Sequence, residues 1–222
     1  MLKNKIPSNS EIKFIRSTNS DSIMDLSPSG VTYYLDIPQN ANDLDFFSHR
    51  LSGSSRRKLQ QKMRNIEIAG VKGQIVDYDV SELIEQYSNQ HFGEESTFKS
   101  IDFRAVLSGL NNSKFDVQNL VFTLEGSIVG VALAVVYNNI FYALSVGYTP
   151  EVKDLGKYIN YFEIGFAHKL GAKRINFFAD DCGWKENWKL QKDDLYRFDP
   201  NNPQILEMQN TGELSFINTI AT

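Results

Sequence analysis

The chain has 222 residues and a net charge of −4, with 41 % apolar, 12 % aromatic and 23 % charged residues. That is one large domain, or one domain with an arm, and it has enough apolar material for a sizeable core, which excludes disorder across the whole chain. The longest apolar run, residues 128–136, is far short of the ~20 needed to span hydrocarbon, so no membrane span is expected. One Cys, six Pro and no heptad run exclude disulfide-framework, collagenous and coiled-coil classes.

The charge is unevenly spread. Between Arg50 and Arg64 there are six basic residues (Arg50, Arg56, Arg57, Lys58, Lys62, Arg64) and no acid. The remaining chain carries 17 basic against 27 acidic residues, a balance of −10. The opening decapeptide MLKNKIPSNS lacks an apolar stretch, so no signal peptide is expected, and the lone Cys182 fits a reducing cytoplasm.

Residues 1–30 read as an N-terminal arm with a short strand at 11–17 and a polar loop at 18–30. Residues 31–222 read as a single domain. The β-branched and aromatic run 31–37 predicts a strand, 42–47 a short helical piece, and 54–69 a helix capped by Ser54 or Ser55 and ended by Gly70. Leu59, Met63, Ile66 and Ile68 form its apolar stripe, with the basic run opposite. A strand at 71–79 and helices at 81–92 and 94–110 follow. Strands at 119–124, 128–137 and 140–148, joined by Glu125-Gly126-Ser127 and Asn138-Asn139, predict an antiparallel meander. A loop at 149–156, an apolar helix at 157–170 and a strand at 173–179 predict a parallel β-α-β crossover. A short helix at 183–191 and two closing strands, 194–198 and 214–220, complete the chain, with the last two expected to pair as a C-terminal hairpin. The class is α/β (α+β) with a mixed sheet.

Chemistry concentrates at the junction from Val146 to Lys157. A strand ends there, a loop follows and a helix begins, so the first helical amides lack intrahelical partners and favour an anion. Lys153 and Lys157 add charge, and Gly156 permits close backbone approach. Two readings follow: a pyrophosphate cradle, or a plain β–α connection with a Gly in a tight turn.

This order of elements resembles the GNAT superfamily of N-acetyltransferases. Ser52-Gly53-Ser54-Ser55-Arg56-Arg57-Lys58-Leu59, together with Trp184-Lys185 after the last parallel strand, makes it most similar to the FemAB-like acyltransferase branch. The resemblance covers roughly residues 31–198. It implies a GNAT-like mixed sheet with a splayed central strand at 140–148 and transfer of an acyl group from acetyl-CoA or another acyl-CoA to a small amine or peptide-like acceptor. No metal is implied. The donor would lie along Ser145, Val146 and Gly147, whose amides are candidate oxyanion donors, and on Lys153, Leu155, Gly156 and Lys157. Tyr142, Tyr148, Asp180 and Asp181 are the catalytic candidates; Cys182 lies beside them with no partner base in evidence. Arg56, Arg57, Trp184 and Lys185 are the candidates for substrate or phosphate binding. The alternative donor is an aminoacyl-tRNA. Two departures from the family pattern point instead to a catalytically degenerate domain that binds a ligand or partner: Tyr158 stands where the cofactor loop usually has a small residue, and Trp184 where a general-acid Tyr is common. Tandem members of the branch carry two such domains, which makes a homodimer an expectation for this chain.

Overall fold

The computed structural model describes residues 14–17, 30–40, 45–93, 107, 109–110, 115–178, 183–195 and 214–218. The chain divides into two compact units, one of residues 34–190 and one of the segments on either side.

The larger unit is built on the meander. Strands β4 (Asp116–Leu124), β5 (Ser127–Tyr137) and β6 (Ile140–Tyr148) pair antiparallel in series. Both connections are two-residue turns with φ positive at each position: Glu125 and Gly126, then Asn138 and Asn139. Such turns carry a twist that matches the flanking strands, and Asn and Gly reach positive φ at little cost. β3 (Lys72–Val76), preceded by β2 (Gly30–Asp36) in the chain, lies antiparallel on the outer side of β4. Helix α4 (Leu155–Lys169) carries the chain from β6 to β7 (Arg174–Asn176), which pairs parallel to β6, as the crossover predicts. β7 then pairs antiparallel with residues 34–36 of β2. Here α1 is Asp45–Ser48, α2 Gly53–Ile68, α3 Ser81–Phe92 and α5 Trp184–Asn187.

Side-chain alternation assigns the two sheet faces. Val121, Val131 and Leu133 join Val80, Ile84 and Leu107 in a cluster on the α3 side. On the other face Phe122 meets Phe162 edge-on at 5.2 Å and Phe141 meets Phe166 at 6.0 Å, so α4 lies there, with α2 packed against it. The α3 layer approaches β6 very closely: a Cβ added to Gly147 would sit 3.0 Å from the backbone of Ile84 and 3.0 Å from the Cβ of Tyr87. β6 itself contains a bulge. Ala143 lies opposite Ala134 and Ser145 opposite Leu133, so Leu144 is an extra residue.

In the second unit, β1 (Phe14–Ser17) pairs antiparallel with β9 (Leu214–Asn218), and β8 (Gln191–Leu195) follows β2 in strand order. The closing strands therefore do not form the expected hairpin with each other; the stretch between them is too long for a tight turn, and each takes a different partner.

Three local expectations are corrected. Ser52, not Ser54 or Ser55, caps α2: its Oγ accepts the Ser55 amide at 3.3 Å, which places 54 and 55 inside the first turn. Ile68 is 73 % exposed rather than part of the buried stripe, because two residues beyond Ile66 is the opposite helix face. The strand predicted at 173–179 ends at Asn176. The helix expected at 94–110 falls almost wholly outside the described residues.

Candidate functional site

β6 and β7 pair only from Ile140 opposite Arg174 to Tyr142 opposite Asn176. Beyond Tyr142, no described strand pairs with the β7-side edge of β6. Residues 143–148, including Ser145, Val146 and Gly147, therefore present an open sheet edge. This is the splay expected of the central strand, and alternate backbone amides along it have no strand partner: the Thr149 amide donates to the Val129 carbonyl at 2.9 Å, so in this register the amides of Ser145 and Gly147 also turn to β5, and of the three candidate oxyanion donors Val146 faces the open edge.

A cavity of about 380 Å³ lies at the far end of that edge. It is lined by Tyr148 from β6, by Pro150 and Val152–Asp154 from the loop, by the first residues of α4, and by His91 from the last turn of α3. The Tyr148 ring lies 5.5 Å from the His91 ring. It also lies over the start of α4, where a Cβ on Gly156 would be 2.7 Å from the ring and 2.8 Å from the hydroxyl. Gly156 is thus required for this aromatic packing as well as for any close approach of a ligand.

The loop's polar groups divide by use. The Leu155 amide is spent on the Val152 carbonyl at 3.2 Å, and the Leu155 side chain is fully buried. The Tyr158 amide donates to Asp154 at 3.1 Å. Among the described residues, the amides of Gly156 and Lys157 donate to no protein group. Tyr158 does not cover this terminus: its ring is buried and meets Phe122 edge-on at 6.2 Å, and burial raises its hydroxyl pKa. The bulky residue at the family's small position points into the core.

Asp154 precedes α4 in the left-handed conformation, with φ of 62°, and its side chain caps none of the helix amides. Its Oδ1 instead accepts from Lys157 Nζ at 2.9 Å and from Lys62 Nζ at 2.7 Å. Burial opposes ionisation of Asp154, but these hydrogen bonds outweigh it and hold the carboxyl below the usual range. The Asp154 hydrogen bond in turn raises the Lys157 ammonium above its ordinary value, against the effect of burial. Lys62 comes from α2, so the basic run of the sequence meets the loop through this side chain.

The remaining candidates lie elsewhere. Phe141 faces α4, so Tyr142 points to the α3 side, where its ring lies 5.9 Å from Phe178 at the fork between β6 and β7. Arg56 is half-buried and paired with His49 Nδ1 at 2.9 Å, and exposed Arg57 donates to the Gly53 carbonyl at 3.3 Å. Trp184 meets Phe177 and Trp188 edge-on at 5.2 and 5.1 Å. Lys185 is 4 % exposed and donates to the carbonyls of Phe177 at 2.7 Å and Phe178 at 3.2 Å, pinning the chain just past β7. Asp180, Asp181 and Cys182 lie outside the described residues. Asp154 and His91 line the cavity without having been singled out by the sequence, and Lys62 reaches Asp154 at its wall. The basic run pointed to a helix face containing Lys62, but its destination depends on a contact 92 residues away in the chain.

An added anion fits this cavity: two amides without protein acceptors, Lys153 and Lys157 beside them, and Lys62 within reach. Among the described residues, no group of three or more His, Cys, Asp or Glu side chains is placed to hold a metal, and no helix is long and apolar enough to cross a membrane.

Comparison with known proteins adds a family and a fold. Residues 53–186 match the model of the acetyltransferase (GNAT) domain. A search of curated proteins finds no match. Among solved structures, the chain is similar to L-PGS from Bacillus licheniformis (TM-score 0.58, 13 % identity, covering 89 % of this chain and 71 % of that one). It is also similar to FemX (0.56, 11 %, 90 % and 67 %). A third likeness is to the C-terminal DUF2156 domain of a putative lysylphosphatidylglycerol synthetase from Agrobacterium fabrum (0.56, 12 %, 87 % and 67 %). At these identities the likeness is one of fold.

Proposed function

The chain belongs to the GNAT acetyltransferase domain family, and from that premise we propose that it moves an acyl group from acyl-CoA, or another activated acyl donor, to an amine by direct attack. The observation that carries this reading is the continuity of the open β6 edge with the Lys-lined cavity at its end. From Tyr148 at the cavity to Tyr142 at the fork is six residues of strand, about 20 Å, a span comparable with an extended pantetheine arm. A donor held by its phosphates at Gly156 and Lys157 would thus carry its acyl group to the fork.

The donor supplies an activated carbonyl. The protein's part is to bind, orient and manage protons. The amine nitrogen bonds to the carbonyl carbon, and the Val146 amide, which faces the open edge, donates to the developing oxyanion. Collapse breaks the carbon–sulfur bond. The nitrogen gives up one proton to a base or water chain and the sulfur takes one, so the balance is neutral. Tyr142, whose ring lies beside Phe178 at the fork, is the candidate for supplying the sulfur's proton; Asp180 and Asp181, which follow β7 in the chain, are the candidates for the base. Tyr148 serves the phosphate end. Lys185, which fixes the carbonyls of Phe177 and Phe178, shapes the fork's other wall, with Trp184 packed beside it. The acceptor is a small amine or peptide-like amine. The reading includes a cytoplasmic location and a homodimer.

Calorimetry with CoA and acetyl-CoA tests the donor. Binding weakened about tenfold by Lys157→Ala is expected from loss of one charged phosphate contact; no binding at millimolar CoA overturns it.

A second reading, an aminoacyl-tRNA donor, is favoured by one observation. Lys62 brings α2 beside the same loop, and Lys58, one turn earlier, lies on the same side of the helix, so a ligand with phosphates in series would find a second cation beyond the first. A domain that binds a donor but transfers nothing is the third outcome, read directly by adding an amine to the bound complex.

A further inference from the structure

The Asp154 carboxylate does not cap the helix it precedes. An Asp before a helix ordinarily turns its oxygen to the helix amides. Asp154 leaves the amides of Gly156 and Lys157 open and reaches outward to two ammonium groups. It does so from a left-handed backbone that costs a non-Gly residue on the order of 1 kcal/mol. The two lysines come from different elements, α2 and α4, and meet on one oxygen atom, Oδ1, at the wall of the cavity. Two cations converging from separate helices on one oxygen form the arrangement that a phosphate oxygen would take there.

We infer that Asp154 is the resident counter-anion of this cavity, engaging Lys62 and Lys157 in the place of a donor phosphate, and that it sets donor specificity by disfavouring ligands that bring high negative charge to this end. The inference rests on the cavity being the donor site. A ligand bearing a pyrophosphate must take the lysines from Asp154 and then tolerate the carboxylate beside it. A ligand presenting one singly charged phosphodiester pays much less repulsion and can share the lysines with Asp154. The residue is therefore a specificity determinant and has no role in the chemical step.

The test is calorimetric titration of inorganic pyrophosphate and of CoA into wild type, Asp154→Asn, Asp154→Gly and Lys157→Ala. Asn and Gly both accept the left-handed conformation, so the loop keeps its backbone. Both Asp154 variants are expected to bind pyrophosphate and CoA about tenfold more tightly than wild type, the size of one unit-charge repulsion across a partly solvated site. Adding Lys62→Ala and Lys157→Ala to Asp154→Asn should shrink the gain, because the part of it that comes from freeing the two lysines is then lost. If Lys157→Ala weakens binding but neither Asp154 variant strengthens it, the donor site stands and the inference falls. If the gain is undiminished with Lys62→Ala and Lys157→Ala both present, Asp154 does not act through these lysines and the inference falls as well. If no variant binds either probe, both the inference and the donor site are overturned.

Discussion

Glu163 lies on α4 with no exposed surface, and both its carboxyl oxygens are without hydrogen-bond partners. It is one helical turn from Ile159, which reaches Gly130 of β5, and one turn from Phe166, which packs on Phe141 of β6. The sheet face beneath this part of α4 presents Ala132, Ala134, Ala143 and Val146, small side chains with no titratable group. Burial pushes the carboxyl from its ordinary value of 4.5 up to about 8. A carboxyl whose folded pKa is raised holds a proton in the folded state that the unfolded state has lost, so stability falls as pH rises through this window. Below pH 4.5 the group contributes no penalty. Between there and about 8 the folded state loses about 1.4 kcal/mol per pH unit from this residue alone, and above 8 the loss levels off. Glu163→Gln should flatten that part of the stability curve. Chemical denaturation at pH 5, 6, 7 and 8 would show it, and equal slopes for the two proteins would refute the assignment.

At the scale of elements, the close contact between β6 and α3 is the most constraining. Gly147 is a candidate donor contact, but its lack of a side chain also admits the backbone of Ile84 at van der Waals range. Gly147→Ala should cost about 1–3 kcal/mol through overpacking, because a backbone atom and a Cβ cannot rotate away. A melting temperature within a degree of wild type would show that the layers are less tightly seated. The elements themselves were largely legible. The meander announces itself through β-branched runs broken by Glu125-Gly126 and Asn138-Asn139, and α2 through its buried Leu59, Met63 and Ile66. What local pattern could not show was the Leu144 bulge. The run Ile140–Tyr148 alternates no differently from a regular strand, in which Tyr142 and Tyr148, both even-numbered, would share one face. The extra residue sends Tyr148 to the α4 side and leaves Tyr142 on the α3 side. Two candidates for one catalytic centre thereby become residues at opposite ends and on opposite faces of the open edge.

For the whole molecule, the charge asymmetry remains the feature most open to direct test. A net charge of −4 conceals a basic stretch whose Lys62 pairs with Asp154 at the cavity wall, while Arg57, Lys58 and Arg64 are exposed on α2. If the donor is an aminoacyl-tRNA, binding should fall steeply with added salt and be lost on Arg56→Ala with Arg57→Ala, read by filter binding at two salt concentrations. Binding that survives both changes sets that donor aside. The site was only half legible for a related reason. Lys153, Gly156 and Lys157 are contiguous, and their spacing at a strand–helix junction is itself a signal. Lys62 and His91 carry no local mark of their destination, since each depends on how separate helices pack. Asp154 sat in plain view within the loop, but its choice of lysines over helix amides is decided by tertiary contacts.

The bulge has a further consequence for how the β5–β6 hairpin finds its pairing. In a regular hairpin, sliding one strand by two residues restores inward and outward faces, so misregistered pairings compete with the native one. Here Phe141 and Ala143 lie before the phase change, and Val146 and Tyr148 after it. A slide that carries any residue past the bulge position turns it to the wrong layer, exposing an aromatic ring or driving Tyr148 into the space that α3 occupies. The strand is keyed at Leu144 like a notched rod: only one alignment satisfies both halves, and the same notch that separates the two tyrosines guards the hairpin against slippage while it forms.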